Sequence, residues 1–416
     1  MAGTIEKIDT LIVGGGQAGL AMSEHLSNAG VEHVVLERNR IAESWRTARW
    51  DSLCANGPAW HDRFPTMEFS GFDPDGFPSK EVVTAYFESF ANKIKAPVRC
   101  DIEVTRVIKL PDKQGFAVDT SAGGFHALNV VCATGPFQTP VFPPIIPETE
   151  GVTQLHSNAY RNPAQLESGA VVVVGAGSSG GQIADELLRS GREVYLSVGP
   201  HERPPRSYRG RDFVWWLGVL GKWDLATVDP ATAHVTISVS GAHGGHTVDF
   251  REYAQRGMML VGMTDTFDNG VLSFKDDLAT NIAYGDASYL GMLDEADVYI
   301  ERNGLDLPEE PQARNLIADP ECLRKPLHEL ELSKANVNSV IWATGYTNDF
   351  SWLQVNAFDD AGSPRHRRGV SSEPGVYFLG LPWLSRRGSS FIWGVWHDAK
   401  YVADQIVIQQ QYRNYQ

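Results

Sequence analysis

The sequence predicts an α/β fold built from two dinucleotide-binding (Rossmann-like) units, the second inserted into a discontinuous first. Two glycine-rich turns lie about a domain apart, Gly14-Gly15-Gly16-Gln17-Ala18-Gly19 and Gly175-Ala176-Gly177-Ser178-Ser179-Gly180. Each follows an apolar run (Leu11-Ile12-Val13; Val171-Val172-Val173-Val174) and opens an amphipathic helix. The tripeptide Ala-Thr-Gly also ends a strand-like run twice, at Ala133-Thr134-Gly135 and Ala343-Thr344-Gly345. A glycine triplet alone is weak evidence. A strand before it and a helix after it supply what a pyrophosphate needs: a tight bend, bare backbone and a helix N-terminus. Two such sites on one chain point to redox traffic between two dinucleotides.

Taken in order, the first helix spans Leu20 to Ala29 and Gly30 closes it. The strand Val34-Val35-Leu36 then ends at Glu37, whose carboxylate suits both ribose hydroxyls of FAD or NAD and repels a 2′-phosphate. A loop carrying Trp45, Arg46, Trp50 and Asp51 leads into a turn-rich stretch from Asn56-Gly57-Pro58 to Gly76-Phe77-Pro78. A helix is predicted from Ser79 to Lys93, with Ser79 as cap and Val82, Val83, Tyr86, Phe87 and Phe90 on one face. Ile102 to Leu110 and Phe116 to Thr120 read as paired strands joined through Pro111 to Gly115, and Asn129 to Ala133 as a buried strand. Pro136 to Pro147 reads as a linker. The second unit starts near Ala170, and aligning Gly175 on Gly14 places Val198 where Glu37 stands. A missing acid followed by His201, Arg203, Arg206, Arg209 and Arg211 favours NADPH over NADH, with Arg203 and Arg206 meeting the 2′-phosphate. Residues 205–330 read as irregular, Ser339 to Ala343 and Val376 to Gly380 as strands, and Asp398 to Gln409 as a closing helix. The expected division is 1–165 and 336–416 for the discontinuous first unit and 166–335 for the inserted one.

Composition narrows the function classes. A chain of 416 residues accommodates two cores. A net charge of −15 disfavours a nucleic-acid partner, because phosphate backbone requires a positive face. No apolar run is long enough to span a bilayer, and Met1 to Ile8 enters the first strand with no predicted leader. Cys54, Cys100, Cys132 and Cys322 are scattered without a CxxC pair, which fits free thiols in a cytoplasmic protein. A homo-oligomer is compatible with all of this.

The chain resembles the class B flavin-dependent monooxygenases, which include the flavin-containing monooxygenases and the plant auxin-forming type, and it looks most like bacterial flavoproteins named for cation transport. The resemblance runs in order through the first turn, Leu36-Glu37-Arg38, Ser44-Trp45-Arg46, Asn56-Gly57-Pro58, Ala133-Thr134-Gly135, the second turn and Ala343-Thr344-Gly345-Tyr346. It implies FAD at the first turn, held by Gly14, Gly16, Gln17, Ala18, Gly19, Glu37, Arg38, Trp45, Arg46, Thr134 and Gly135. It implies NADPH at the second, held by Gly175, Gly177, Ser178, Ser179, Gly180, Thr344 and Gly345, and molecular oxygen as co-substrate. In such enzymes hydride passes to the flavin, oxygen adds at C4a, and the peroxyflavin oxygenates a small aromatic or N/S-containing substrate. Asn56 is similar to the family's asparagine that steadies this intermediate.

Two departures stand out. Before the second unit, His156 and Tyr160 keep their motif places while Glu150 and Val152 replace the family's Phe and Gly, which makes His156 structural rather than catalytic. Gly199 stands where many relatives carry an arginine. Trp393, Trp396 and His397 precede the last helix and are candidate substrate-pocket residues. Adjacent side chains seldom point together, so His61 and Asp62 read as a solvated loop. His243 and His246 lack a third ligand, so no metal is expected. Two alternatives to the monooxygenase stand beside it: a two-dinucleotide reductase or oxidase, and a non-catalytic redox-sensing flavoprotein.

Overall fold

A computed structural model describes residues 5–111, 113–148, 151–226 and 236–415. The first unit is built on a ten-stranded sheet. Its parallel centre sets Ile5–Val13 between His33–Leu36 and Gly123–Cys132, and Val13 is level with both Leu36 and Cys132. Three chain segments therefore end side by side above the first glycine turn. Val376–Phe378 pairs parallel to Gly123–Cys132, so the chain returns to the first sheet after the second unit, as the doubled tripeptide predicts. Helix Gln17–Asn28 packs against the C-terminal helix over the core of Leu11, Ile12, Val35, Phe87, Val131 and Phe378.

The second unit carries a five-stranded sheet, all parallel, in the order Met259–Val261, Val194–Ser197, Ala170–Val174, Val337–Trp342, Thr153–His156. Val171 and Val173 enter one apolar cluster and Val172 and Val174 another, so the sheet is buried on both faces. That explains an uninterrupted valine run where alternation would mark a half-exposed strand.

Several expectations change. The strands Thr153–His156 and Val337–Trp342 lie outside residues 166–335, yet both belong to the inserted sheet, because Trp342 pairs level with His156 and with Val174. The described residues between 205 and 330 are far from irregular. They hold a 26-residue helix, Leu278–Asn303, and a three-stranded antiparallel sheet of Thr264–Asp268, Val271–Phe274 and Glu329–Glu331. Gly285 and Gly291 obscure that helix in the sequence, but a Cβ at Gly285 would meet the His201 ring at 2.7 Å, so close packing explains the first of them. The last helix begins at Ile392, not near Asp398, so Trp393, Trp396 and His397 lie inside it. Its aromatic, glycine-containing start reads poorly as helix, but a Cβ at Gly394 would meet the Gly388 carbonyl oxygen at 1.8 Å. The helix Lys80–Lys93 forms as expected, and the Ser79 hydroxyl accepts from the Val82 N–H at 3.4 Å. Glu150, one of the two motif departures, lies outside the described residues, as does Asp112 in the turn before Phe116.

Candidate functional site

The two glycine turns are built alike. Gly14 adopts φ +112°, and a Cβ there would meet the Ala133 carbonyl oxygen at 2.6 Å. Gly175 adopts φ +107°, and its Cβ would meet the Ala343 carbonyl oxygen at 2.6 Å. Gly19 and Gly180 stand against the carbonyl oxygens of Gly14 and Gly175, at 1.9 and 1.8 Å from a notional Cβ. Each Ala-Thr-Gly therefore buttresses its own turn, which accounts for the tripeptide occurring twice. Thr134 accepts from the Gln138 amide at 2.9 Å, and the Thr344 hydroxyl donates to the Val141 carbonyl at 2.6 Å, joining the two exits.

The middle glycines differ. A Cβ at Gly16 meets nothing within 4 Å, so the seat above the first helix is open. Glu37 already faces it, its Oε2 accepting from the Gly15 N–H at 2.7 Å and its Oε1 from the Asn39 N–H at 2.9 Å. The open seat and the carboxylate facing it fit a dinucleotide. Gln17 donates to the Ser390 carbonyl at 2.7 Å, which ties the turn to the start of the C-terminal helix. Ala18 lies under Gly380, while Arg38 is exposed. Arg46 pairs with Glu88 at 2.5 Å and Trp45 packs on the first core, so both brace the loop beside the turn.

At the second turn the equivalent seat is filled by the chain itself. A Cβ at Gly177 would meet the Thr236 methyl carbon at 2.4 Å, and Ser178 donates to the Ile237 carbonyl at 2.7 Å. Gln182 donates to the Val239 carbonyl at 2.7 Å. Residues 236–239 thus lie as a strap across the turn, and in this conformation it does not accept a dinucleotide pyrophosphate.

Arg203 and Arg206 do not form a 2′-phosphate site. Arg203 is 3% exposed and pairs with Asp286 at 2.7 Å and Asp249 at 3.4 Å, its guanidinium over the Tyr289 ring. Arg206 is 8% exposed, pairs with Asp212 at 2.6 Å and lies between the rings of Phe77 and Phe213. Buried guanidiniums need carboxylates to offset lost hydration, and these have theirs within the fold. Arg49, which the sequence did not single out, lies over Phe137 at 4.7 Å near Tyr346, between the two Ala-Thr-Gly exits. Burial lowers its pKa, and among the described residues no carboxylate pairs with it.

Asn56 is clamped from the second unit. Its side-chain oxygen accepts from the Gln182 amide at 2.9 Å, and its backbone carbonyl accepts from Arg206 at 2.7 Å. With Oδ1 taken, Nδ2 has no hydrogen-bond partner among the described residues. Single-sequence reasoning had no signal for Gln182, since it sits inside an ordinary amphipathic helix.

His61 and Asp62 are not a solvated loop. The ring nitrogen Nδ1 lies 2.8 Å from Asp62 Oδ1, His61 is 7% exposed, and Asp62 Oδ2 accepts from the Gly57 N–H at 2.9 Å. The general rule against adjacent pairs fails because the Pro58 carbonyl accepts the N–H of both residues, winding the chain into a tight turn. Trp393, Trp396 and His397 lie together on the first turns of the last helix, with His397 4.9 Å from Trp393 and burial lowering its pKa. His156 holds the Gly345 carbonyl at 3.0 Å, a bracing role.

Two α/β units, each with a parallel sheet centre and a buttressed glycine turn, define a two-unit Rossmann-like protein. Residues 11–211 match the family model described as pyridine nucleotide-disulphide oxidoreductase. An oxidoreductase named CzcO-like from Geobacillus kaustophilus is 34% identical over 96% of this chain and 98% of its own. A probable indole-3-pyruvate monooxygenase, YUCCA4 of Arabidopsis thaliana, is 28% identical over 96% of this chain and 90% of its own. A flavin-containing monooxygenase from Stenotrophomonas maltophilia superposes with a TM-score of 0.67 at 19% identity, covering 98% of this chain and all of that one. The chain belongs to the family of the CzcO-like oxidoreductases. No helix among the described residues is long and apolar enough to cross a membrane.

Proposed function

We infer that the protein is an NADPH- and oxygen-dependent flavin monooxygenase acting on a small aromatic or N/S-containing compound. The observation that carries this reading is the open seat at the first glycine turn, faced by Glu37, on a chain that also holds the Asn56 amide clamped by Gln182 and Arg206. Bound FAD supplies the redox and oxygen-transfer chemistry. The chain's own residues hold and shield it. Gly16 and the helix start meet the pyrophosphate, Glu37 takes the ribose, and Asn56 offers a fixed neutral donor that cannot deliver a proton. A pre-aimed amide in a water-poor site needs no reorganisation when charge develops.

The nicotinamide nucleotide reaches the second turn only after the strap at residues 236–239 leaves. Val198 puts no acid against a 2′-phosphate, and Arg49 is the cation placed to meet an anion between the exits. A redox-sensing flavoprotein is the second reading, favoured by that strap. Anaerobic mixing of FAD-loaded protein with NADPH separates the two: bleaching of the flavin supports the monooxygenase, whereas a flavin that stays oxidised supports the sensor. With oxygen admitted, Asn56→Ala should still consume NADPH but release more hydrogen peroxide per NADPH, for a loss of roughly 2–4 kcal/mol of stabilisation. Unchanged coupling would return Asn56 to a turn-forming role.

A further inference from the structure

His61 is bound to the same turn as Asn56. Asp62 accepts from the Gly57 N–H with one oxygen and holds His61 Nδ1 with the other, and a Cβ at Gly57 would lie 2.4 Å from that carboxylate, so glycine permits the approach. The His61 ring lies against Trp223 (5.0 Å, 24°) and Trp393 (5.7 Å, 25°), with Trp60 edge-on at 5.5 Å. Its Nε2 is buried and has no hydrogen-bond partner among the described residues. Trp60 and Trp393 are only partly buried, so the ring cluster reaches the surface. Trp393 also stands in the first turn of the helix whose leading Ser390 carbonyl is held by Gln17 of the first glycine turn. The cluster therefore borders the dinucleotide seat.

We propose that His61 is a catalytic base that takes the hydroxyl proton of a phenolic substrate seated against the tryptophan rings. The proposal names the substrate class of the monooxygenase reading and rests on it for the oxygenation that follows. Asp62 fixes the tautomer with Nδ1 protonated, which leaves the lone pair on Nε2. A buried acceptor with no partner calls for a donor, and aromatic walls call for a planar ring to carry it. A phenol O–H is within general-base reach of an imidazole as its ring is oxygenated, whereas the far less acidic N–H of an indole is not. The O–H bond breaks with its electron pair left on oxygen, the proton joins Nε2, and Asp62 stabilises the imidazolium. The proton passes to water when product leaves. The resulting phenolate is the electron-rich ring that oxygenation requires. The charged groups around His61 are Asp62 on its own loop, Arg206 from the second unit, Asp224 beside Trp223, and Arg386, His397 and Asp398 beside Trp393.

Difference absorbance of FAD-loaded protein titrated with 4-nitrophenol tests this without turnover, at a pH where the free probe is mostly protonated. The wild type should bind it as the coloured phenolate. His61→Gln should bind it with similar affinity in the neutral form, and Asp62→Asn should cut the phenolate fraction about tenfold. Nitrogen NMR should show the Nδ1-protonated tautomer of His61 in wild type and its loss in Asp62→Asn. Neutral probe on wild type, phenolate retained by His61→Gln, no saturable binding, or a tautomer indifferent to Asp62 each overturns the proposal. Failure of NADPH to bleach the flavin would instead overturn the monooxygenase reading and leave the binding result standing.

Discussion

Glycines of one turn motif do different work, and substitution separates them. Gly14 is left-handed and its Cβ would strike the Ala133 carbonyl at 2.6 Å, so Gly14→Val strains the backbone whether or not a nucleotide is bound. That should cost about 3 kcal/mol or more of fold stability. Gly16 has φ −85° and open space, so Gly16→Val should leave the apo-protein within about 1 kcal/mol of wild type while projecting its side chain into the pyrophosphate seat. Thermal melts and FAD content of both variants check this. A Gly16→Val protein that retains FAD would show that the seat lies elsewhere. From sequence the two glycines look equivalent; their difference lies in what the opposing Ala-Thr-Gly strand brings near each.

Among elements, the strap over the second turn decides most. If residues 236–239 compete with the nicotinamide nucleotide, weakening the strap should tighten binding by the free energy the strap itself contributes. Thr236→Gly removes the methyl group packed over Gly177. Thr236 is exposed overall, so about 0.8 kcal/mol for a buried methyl is an upper bound, and NADP⁺ should bind up to about fourfold more tightly. Fluorescence titration with NADP⁺ measures this, and an unchanged Kd would mean that the strap does not compete. The glycine turn itself was legible from residues 171–180. The strap was not, since nothing in the local pattern of Thr236 to Val239 says that it folds back onto a helix start in another part of the chain. The arginines were misread for a related reason. Arg203 and Arg206 look like phosphate readers until Asp286, Asp249 and Asp212 are brought to them.

For the whole molecule, burial sets the pH response. Desolvation lowers the pKa of His25, His33, His156, His201, His366 and His397 in the folded state. The unfolded chain, with histidines near 6.5, binds more protons than the folded one as pH drops below that value. Stability therefore rises with pH through this window, is fully present above about 6.5, and is lost as acidification forces protons onto the unfolded chain first. Melting temperature should fall progressively from pH 7.5 towards pH 5, well before most carboxylates titrate. A flat profile over that range would show that these imidazoles gain protons as easily in the fold as out of it.

The sequence by itself determined the class: two strand–glycine–helix units, the discontinuous first unit, the helix capped by Ser79 and the acid at Glu37 are all written in neighbouring residues, where turn conformation, periodicity and capping act. Tertiary structure decided the site. The inserted sheet's outer borders, the clamp of Gln182 and Arg206 on Asn56, the His61–Asp62 pair against Trp223 and Trp393, and the filled seat at Gly177 all depend on contacts between segments far apart in the chain. Local pattern encodes which conformations a segment favours. Which side chain meets which is settled only when two cores and the connections between them pack together.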